Sequence, residues 1–133
     1  MLPTVDDFFW MNNFLLVSLL SFEFAVCFAE PPKIQSFEFT GVMDEGSFAQ
    51  LSCVVTKGDE PLSLSWSFHG HNLTSGRGIT ISNIGSRISM LVIASVGHKH
   101  MGTYTCLASN KAGSASHSAT LKVNGKVLGM EGR

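Results

Sequence analysis

His100-Met101-Gly102-Thr103-Tyr104-Thr105-Cys106 is the stretch from which the fold is read. Cys106 follows another cysteine, Cys53, at a distance of 53 residues, and Trp66 stands 13 residues after Cys53. Tyr104 precedes the second cysteine by two positions. A two-sheet β-sandwich uses this set together. One cysteine sits on each sheet so that a disulfide crosses the core, the indole packs on the sulfur bridge, and the tyrosine ties down the corner that enters the last strands.

Working outward, period-two alternation places the strands. Pro31-Pro32 marks the entry of the domain, and residues 33–40 read as one strand with Phe37 and Phe39 on the same face. After the turn Asp44-Glu45-Gly46, residues 47–56 alternate so that Ala49, Leu51 and Val55 point inward with Cys53. Leu62, Leu64, Trp66 and Phe68 form the next inward set, followed by a short stretch beyond His69-Gly70-His71. Ile79 and Ile81 give a short strand, Asn83-Ile84-Gly85-Ser86 a turn, and residues 87–94 a strand with Leu91 and Ile93 in the core. Tyr104, Cys106 and Ala108 point inward on the strand over 103–109. The turn Asn110-Lys111-Ala112-Gly113 then leads into a last strand with Ala119, Leu121 and Val123 inward. The expectation is an all-β chain of two antiparallel sheets, with no long helix, internal repeat or low-complexity segment.

Residues 8–28 do not fit that pattern: they are dense in Phe, Leu and Val, with small residues at Cys27 and Ala29. This is the pattern of a signal peptide cleaved after Ala29, although Asp6 and Asp7 stand where a leader usually carries basic residues. Glu23 interrupts the run, which falls short of the ~20 apolar residues of a membrane span. The expected organisation is therefore a leader over 1–29, one domain over 30–125 and a short tail over 126–133. Removing the leader from the 133 residues leaves 104. Asp6, Asp7 and Glu23 go with it, so nine basic side chains face seven acidic ones and the net charge moves from −1 to +2, too near neutral to suggest nucleic acid. Cys27 also leaves, and the two remaining cysteines form one pair in an oxidising compartment.

The run Gly102, Tyr104, Cys106, Ala108, Asn110 and Gly113 resembles the I-set of immunoglobulin domains. The stretch from Pro31 to Gly125 is similar, more closely, to domains of the arthropod Down syndrome cell adhesion molecule (Dscam) family, in particular the variable first domain of shortened chelicerate forms. Pro31-Pro32-Lys33-Ile34, Asp44-Glu45-Gly46-Ser47 and Leu91-Val92-Ile93 carry that likeness. It implies an immunoglobulin-like β-sandwich and cell-cell recognition, with copies of one domain binding each other through a sheet face. His100 departs from the usual pattern, in which an aspartate pairs with an arginine near the fourth strand. The departure removes the acid that would fix an ion pair to Arg77 or Arg87, and His100 reads as a solvated or hydrogen-bonded corner residue.

Catalysis finds no candidates: there is no Ser-His-Asp set, nucleophile elbow, phosphate-binding glycine loop or paired carboxylate. His69 and His71, and His98 and His100, flank single residues, but neither pair has further ligands beside it, so no metal and no cofactor is expected. Asn72-Leu73-Thr74 is an N-glycosylation sequon, with Asn72 the expected acceptor.

The functional signal lies on the outside of one sheet. With Leu91 and Ile93 inward, alternation sends Ile88, Met90 and Val92 outward, and Val54 outward on the neighbouring strand. An apolar stripe on a water-facing sheet marks a contact surface. The resemblance to the Dscam family implies that Gln50, Thr80, Ser82 and Arg87 complete the recognition surface. Acids dominate residues 30–60 and bases the remainder, which suggests a second copy laid antiparallel, acidic edge to basic edge. A soluble immune-type binder of a heterophilic ligand and a structural spacer are the alternatives.

Overall fold

The computed structural model describes residues 28–124. The expected leader, apart from Phe28 and Ala29, and the expected tail lie outside the described residues. Nine strands form two sheets: β1 Lys33–Ile34, β2 Val42–Asp44, β3 Ala49–Lys57, β4 Ser63–Phe68, β5 His71–Leu73, β6 Ile79–Ile84, β7 Ile88–Ile93, β8 Gly102–Asn110 and β9 Gly113–Asn124. The first sheet has the order β1-β3-β7-β6 and the second β2-β9-β8-β4-β5. One 3-10 turn, His98–His100, makes the corner before β8.

The core follows the alternation. Ala49, Leu51, Cys53 and Val55 on β3 and Leu91 and Ile93 on β7 face Trp66, Tyr104, Cys106, Ala119 and Leu121 across the sandwich, all buried. The Cys53–Cys106 disulfide joins the sheets through this layer. Beside it the Trp66 indole N–H donates to the Ser89 hydroxyl at 2.9 Å. Register makes this a second bridge, because Ser89 is the β7 partner of Cys53 and Trp66 the β4 partner of Cys106.

The strand expected over 33–40 is instead divided. Residues 33 and 34 pair with β3, the chain then crosses to the other sheet, and β2 runs parallel to β9. Aromatic packing accounts for the crossing. The Phe37 ring lies 5.5 Å from Trp66 and 4.6 Å from His117, and the Phe39 ring 5.8 Å from Tyr104. His117 Nε2 donates to the Phe37 carbonyl at 3.0 Å. A continuous strand on β3 would pull both phenylalanines off the side of the core they cover. Strand β6 also differs: it continues through Ile84, so the turn expected over 83–86 is confined to the residues between Ile84 and Ile88.

His100 is only 3% exposed. Its Nδ1 accepts the Gly97 N–H at 2.9 Å and its Nε2 donates to the Arg77 carbonyl at 3.0 Å, so one neutral tautomer satisfies both. The imidazole thus ties the corner before β8 to the loop before β6, the connection an aspartate–arginine pair makes elsewhere in the resemblance. Arg87, by contrast, has an ion pair, with an acid of another loop. Its guanidinium lies 3.4 Å from Glu60 and donates to the Gly58 carbonyl at 2.8 Å.

Tyr104 is fully buried and its hydroxyl donates to the His100 carbonyl at 2.6 Å. Burial pushes its pKa up from 10.0 to about 12. A phenol that ionises later in the folded than in the unfolded chain contributes stability that is whole below pH 10 and is lost as pH rises through about 12. That loss amounts to about 3 kcal/mol. Tyr104→Phe is expected to be less stable at pH 7 by about 1 to 2 kcal/mol, through the orphaned carbonyl, and to show a flatter alkaline limb. Urea titrations at pH 7, 10 and 11.5 check this, and parallel losses in the two proteins would contradict it.

Candidate recognition face

The outer face of the β1-β3-β7-β6 sheet is built by strand register. Gln50, Ser52 and Val54 on β3 pair with Val92, Met90 and Ile88 on β7. These pair in turn with Thr80, Ser82 and Ile84 on β6. The result is a grid of three rows. Gln50-Val92-Thr80 is polar at both ends, Ser52-Met90-Ser82 carries methionine between two hydroxyls, and Val54-Ile88-Ile84 is apolar throughout. Their inward neighbours Leu51, Cys53, Ser89, Leu91 and Ile93 are buried, which fixes the grid side chains outward.

The sequence-predicted residues Gln50, Val54, Thr80, Ser82, Ile88, Met90 and Val92 are therefore brought together on one surface. Arg87 is not part of the grid, because its guanidinium is engaged by Glu60 and Gly58 at the end of the sandwich. Ser52 and Ile84 join the surface without having been singled out. Ile84, 54% exposed, is the grid's most open apolar side chain, whereas Val54, Ile88, Met90 and Val92 are half-buried by their neighbours. The signal for Ile84 was in the sequence: the β6 alternation, continued past Ile81, reaches it on the outward phase.

The acidic half of the chain does not form an edge. Glu38 lies 3.9 Å from His117 on the second sheet, Glu45 lies 3.6 Å from His98 at the corner before β8, and Glu60 pairs with Arg87. The crossing of residues 35–41 to the second sheet carries Glu38 and Glu45 away from Glu60, which stays in the loop after β3. Acidic-edge-to-basic-edge docking therefore has no counterpart in the folded molecule.

Elsewhere, a cleft of about 370 Å³ opens between β5 and β6, floored by Phe68, Tyr104 and His100 and rimmed by Arg77 and Lys99. Among the described residues no group of three His, Cys, Asp or Glu side chains converges. Of the paired histidines, His69 packs its ring 4.2 Å from Phe68. Among the described residues no helix is long and apolar enough to cross a membrane. Asn72 is exposed on β5, and Cys53 and Cys106 form the predicted disulfide.

Two sheets joined by a buried disulfide, with a tryptophan beside the sulfurs and a tyrosine bonded to the corner before its own strand, define an immunoglobulin sandwich. The chain belongs to the Immunoglobulin I-set domain family, which it matches over residues 32–123. It is 38% identical over 96 residues to the cell adhesion molecule Dscam1 of Drosophila melanogaster, and 43% identical over 93 residues to DSCAML1 of Gallus gallus. These matches cover 71% and 70% of this chain but only 5% and 4% of those proteins, so it spans a small part of their length. The crystal structure of the Dscam1 Ig7 domain, isoform 5, superposes with a TM-score of 0.69 at 38% identity, covering 71% of this chain and 97% of that one. The titin I-band fragment I67-I69 superposes with a TM-score of 0.64 at 26% identity, covering 71% and 32%.

Proposed function

We propose that this chain is an extracellular cell-adhesion domain that binds a second copy of itself, antiparallel, through the outer face of the β1-β3-β7-β6 sheet. The observation that carries the reading is the grid, with Met90 at its centre and an apolar row at one end. The kinship with domains of proteins named as cell adhesion molecules supports it. Consider two such faces related by a two-fold axis that lies between them, perpendicular to β7 and level with Met90. Met90 then meets the partner's Met90, and Val92 meets the partner's Ile88. Gln50 and Thr80 come over the partner's Val54 and Ile84. β3 and β6 each lie over their own copy, so selectivity rests on how the first and third rows fit rather than on opposite charge. Each row must fit the facing row of the partner, so a copy substituted in one row meets an unadjusted row on a non-identical partner, which makes a mismatched pair costly.

The grid covers roughly 300 Å² per copy by strand and residue spacing, well under the ~800 Å² per partner of a standard interface. The isolated domain is expected to dimerise weakly and reversibly. Sedimentation equilibrium up to several hundred micromolar should show a monomer–dimer exchange that Met90→Asp weakens by more than about 100-fold, since it opposes two carboxylates at the centre. A wild-type protein that stays monomeric throughout, or a dimer indifferent to Met90→Asp, would remove the reading and leave a spacer or a heterophilic binder.

A further inference from the structure

The outer face of the second sheet has a different chemistry. Register sets Asn72 on β5, Ser67 on β4, Thr105 on β8 and Ser118 on β9 in one row across the sheet. The adjacent rows continue it, with Thr103 and Thr120 on one side and Ser65, Leu107 and Ser116 on the other. These rows hold no charged side chain, and their hydroxyls are already ordered across the strands. Thr105 and Ser118 lie 2.7 Å apart and Thr103 and Thr120 3.2 Å apart. These rows are thus dense in groups that both donate and accept, with Leu107, 43% exposed, as their apolar spot, and at β9 they are bordered by Glu38, Val42 and Lys122 around a pocket that Ser118 and Thr120 line.

We propose that Asn72 carries an N-linked glycan that lies across this hydroxyl face toward Ser118. Asn72, Leu73 and Thr74 satisfy the sequon, and both Asn72 and Thr74 are exposed. The Asn72 amide makes no side-chain hydrogen bond among the described residues, and its strand lies at the edge of the sheet. Because Ser67, its register partner, faces outward opposite buried Trp66, register places Asn72 on the hydroxyl side of β5, although Asn72 also borders the cleft between β5 and β6. From Asn72 to Ser118 is three inter-strand spacings, about 14 Å, a distance that the paired N-acetylglucosamines and branching mannose of a glycan core span. Sugar hydroxyls exchange hydrogen bonds with serine and threonine, and a pyranose C–H face suits Leu107. The occupant would cover one sheet face and leave the other bare, and the inference stands whether or not that other face self-associates.

The test uses the full chain, isotope-labelled and secreted from a eukaryotic host that makes only high-mannose glycans. Mass spectrometry of the tryptic glycopeptide reads occupancy. NMR then compares the intact protein with the same protein trimmed by endoglycosidase H to a single N-acetylglucosamine. The expected result is a shift of the Thr103, Thr105 and Thr120 methyls and of the Ser118 amide on trimming, reproduced in the Thr74→Val variant, which removes the sequon without touching those rows. An unmodified Asn72 overturns the proposal. So do perturbations confined to residues 71–74, which mean a glycan held in solvent, or perturbations at Arg77 and Ile79, which place it in the cleft between β5 and β6.

Discussion

The Cys53→Ala, Cys106→Ala double variant is expected to unfold at a urea concentration about 3 M below that of the wild type. The bridge spans 53 residues and so encloses more than half of the described chain. Cross-linking a loop of that length removes unfolded-state entropy worth about 4 kcal/mol. A domain of this size holds only about 5 to 15 kcal/mol in total, so the variant should sit close to its unfolding threshold at 37 °C. Both cysteines are fully buried, and alanine also leaves the space of two sulfurs in the layer where the sheets meet. Urea titration followed by tryptophan fluorescence measures the midpoint. A displacement under about 1 M would mean that packing around the bridge, rather than the covalent link, holds the sheets together.

Trp66→Ala should cost about as much, 3 to 5 kcal/mol, because the largest buried side chain of β4 is removed from between Phe37 and the disulfide layer. The instructive comparison is Trp66→Phe. It keeps most of the apolar volume but leaves the buried Ser89 hydroxyl without the indole N–H, at a cost of about 1 to 3 kcal/mol. Adding Ser89→Ala should return part of that loss, since no polar group is then stranded. A double-mutant cycle at positions 66 and 89 measures the coupling. If Ser89→Ala in the Trp66→Phe background gives no recovery, the Trp66–Ser89 bond is not a second tie between the sheets.

The candidate recognition face was legible to different degrees at different positions. Val54, Ile88, Met90 and Val92 follow from the phase of their buried neighbours, because a strand leaves only two directions for a side chain. Ile84 reads as part of a turn, since Gly85 and Ser86 are turn residues and hide how far β6 runs before its hairpin. Arg87 falls on the face by its place in the sequence. Its side chain is long enough to reach Gly58 and Glu60 at the end of the sandwich, and periodicity says nothing about where a flexible cation finds its partner.

The sandwich, its disulfide, its inward residues and four of the five apolar residues of the face, Val54, Ile88, Met90 and Val92, are legible in the sequence. Each of these depends on alternation along one strand or on the spacing of Cys53, Trp66, Tyr104 and Cys106. Tertiary structure decided the crossing of residues 35–41, the burial of His100 between Gly97 and Arg77, the dispersal of the acidic residues and the Trp66–Ser89 bridge. These depend on which strands lie opposite one another. Period-two patterning specifies a face of a strand but not the strand that will cover it.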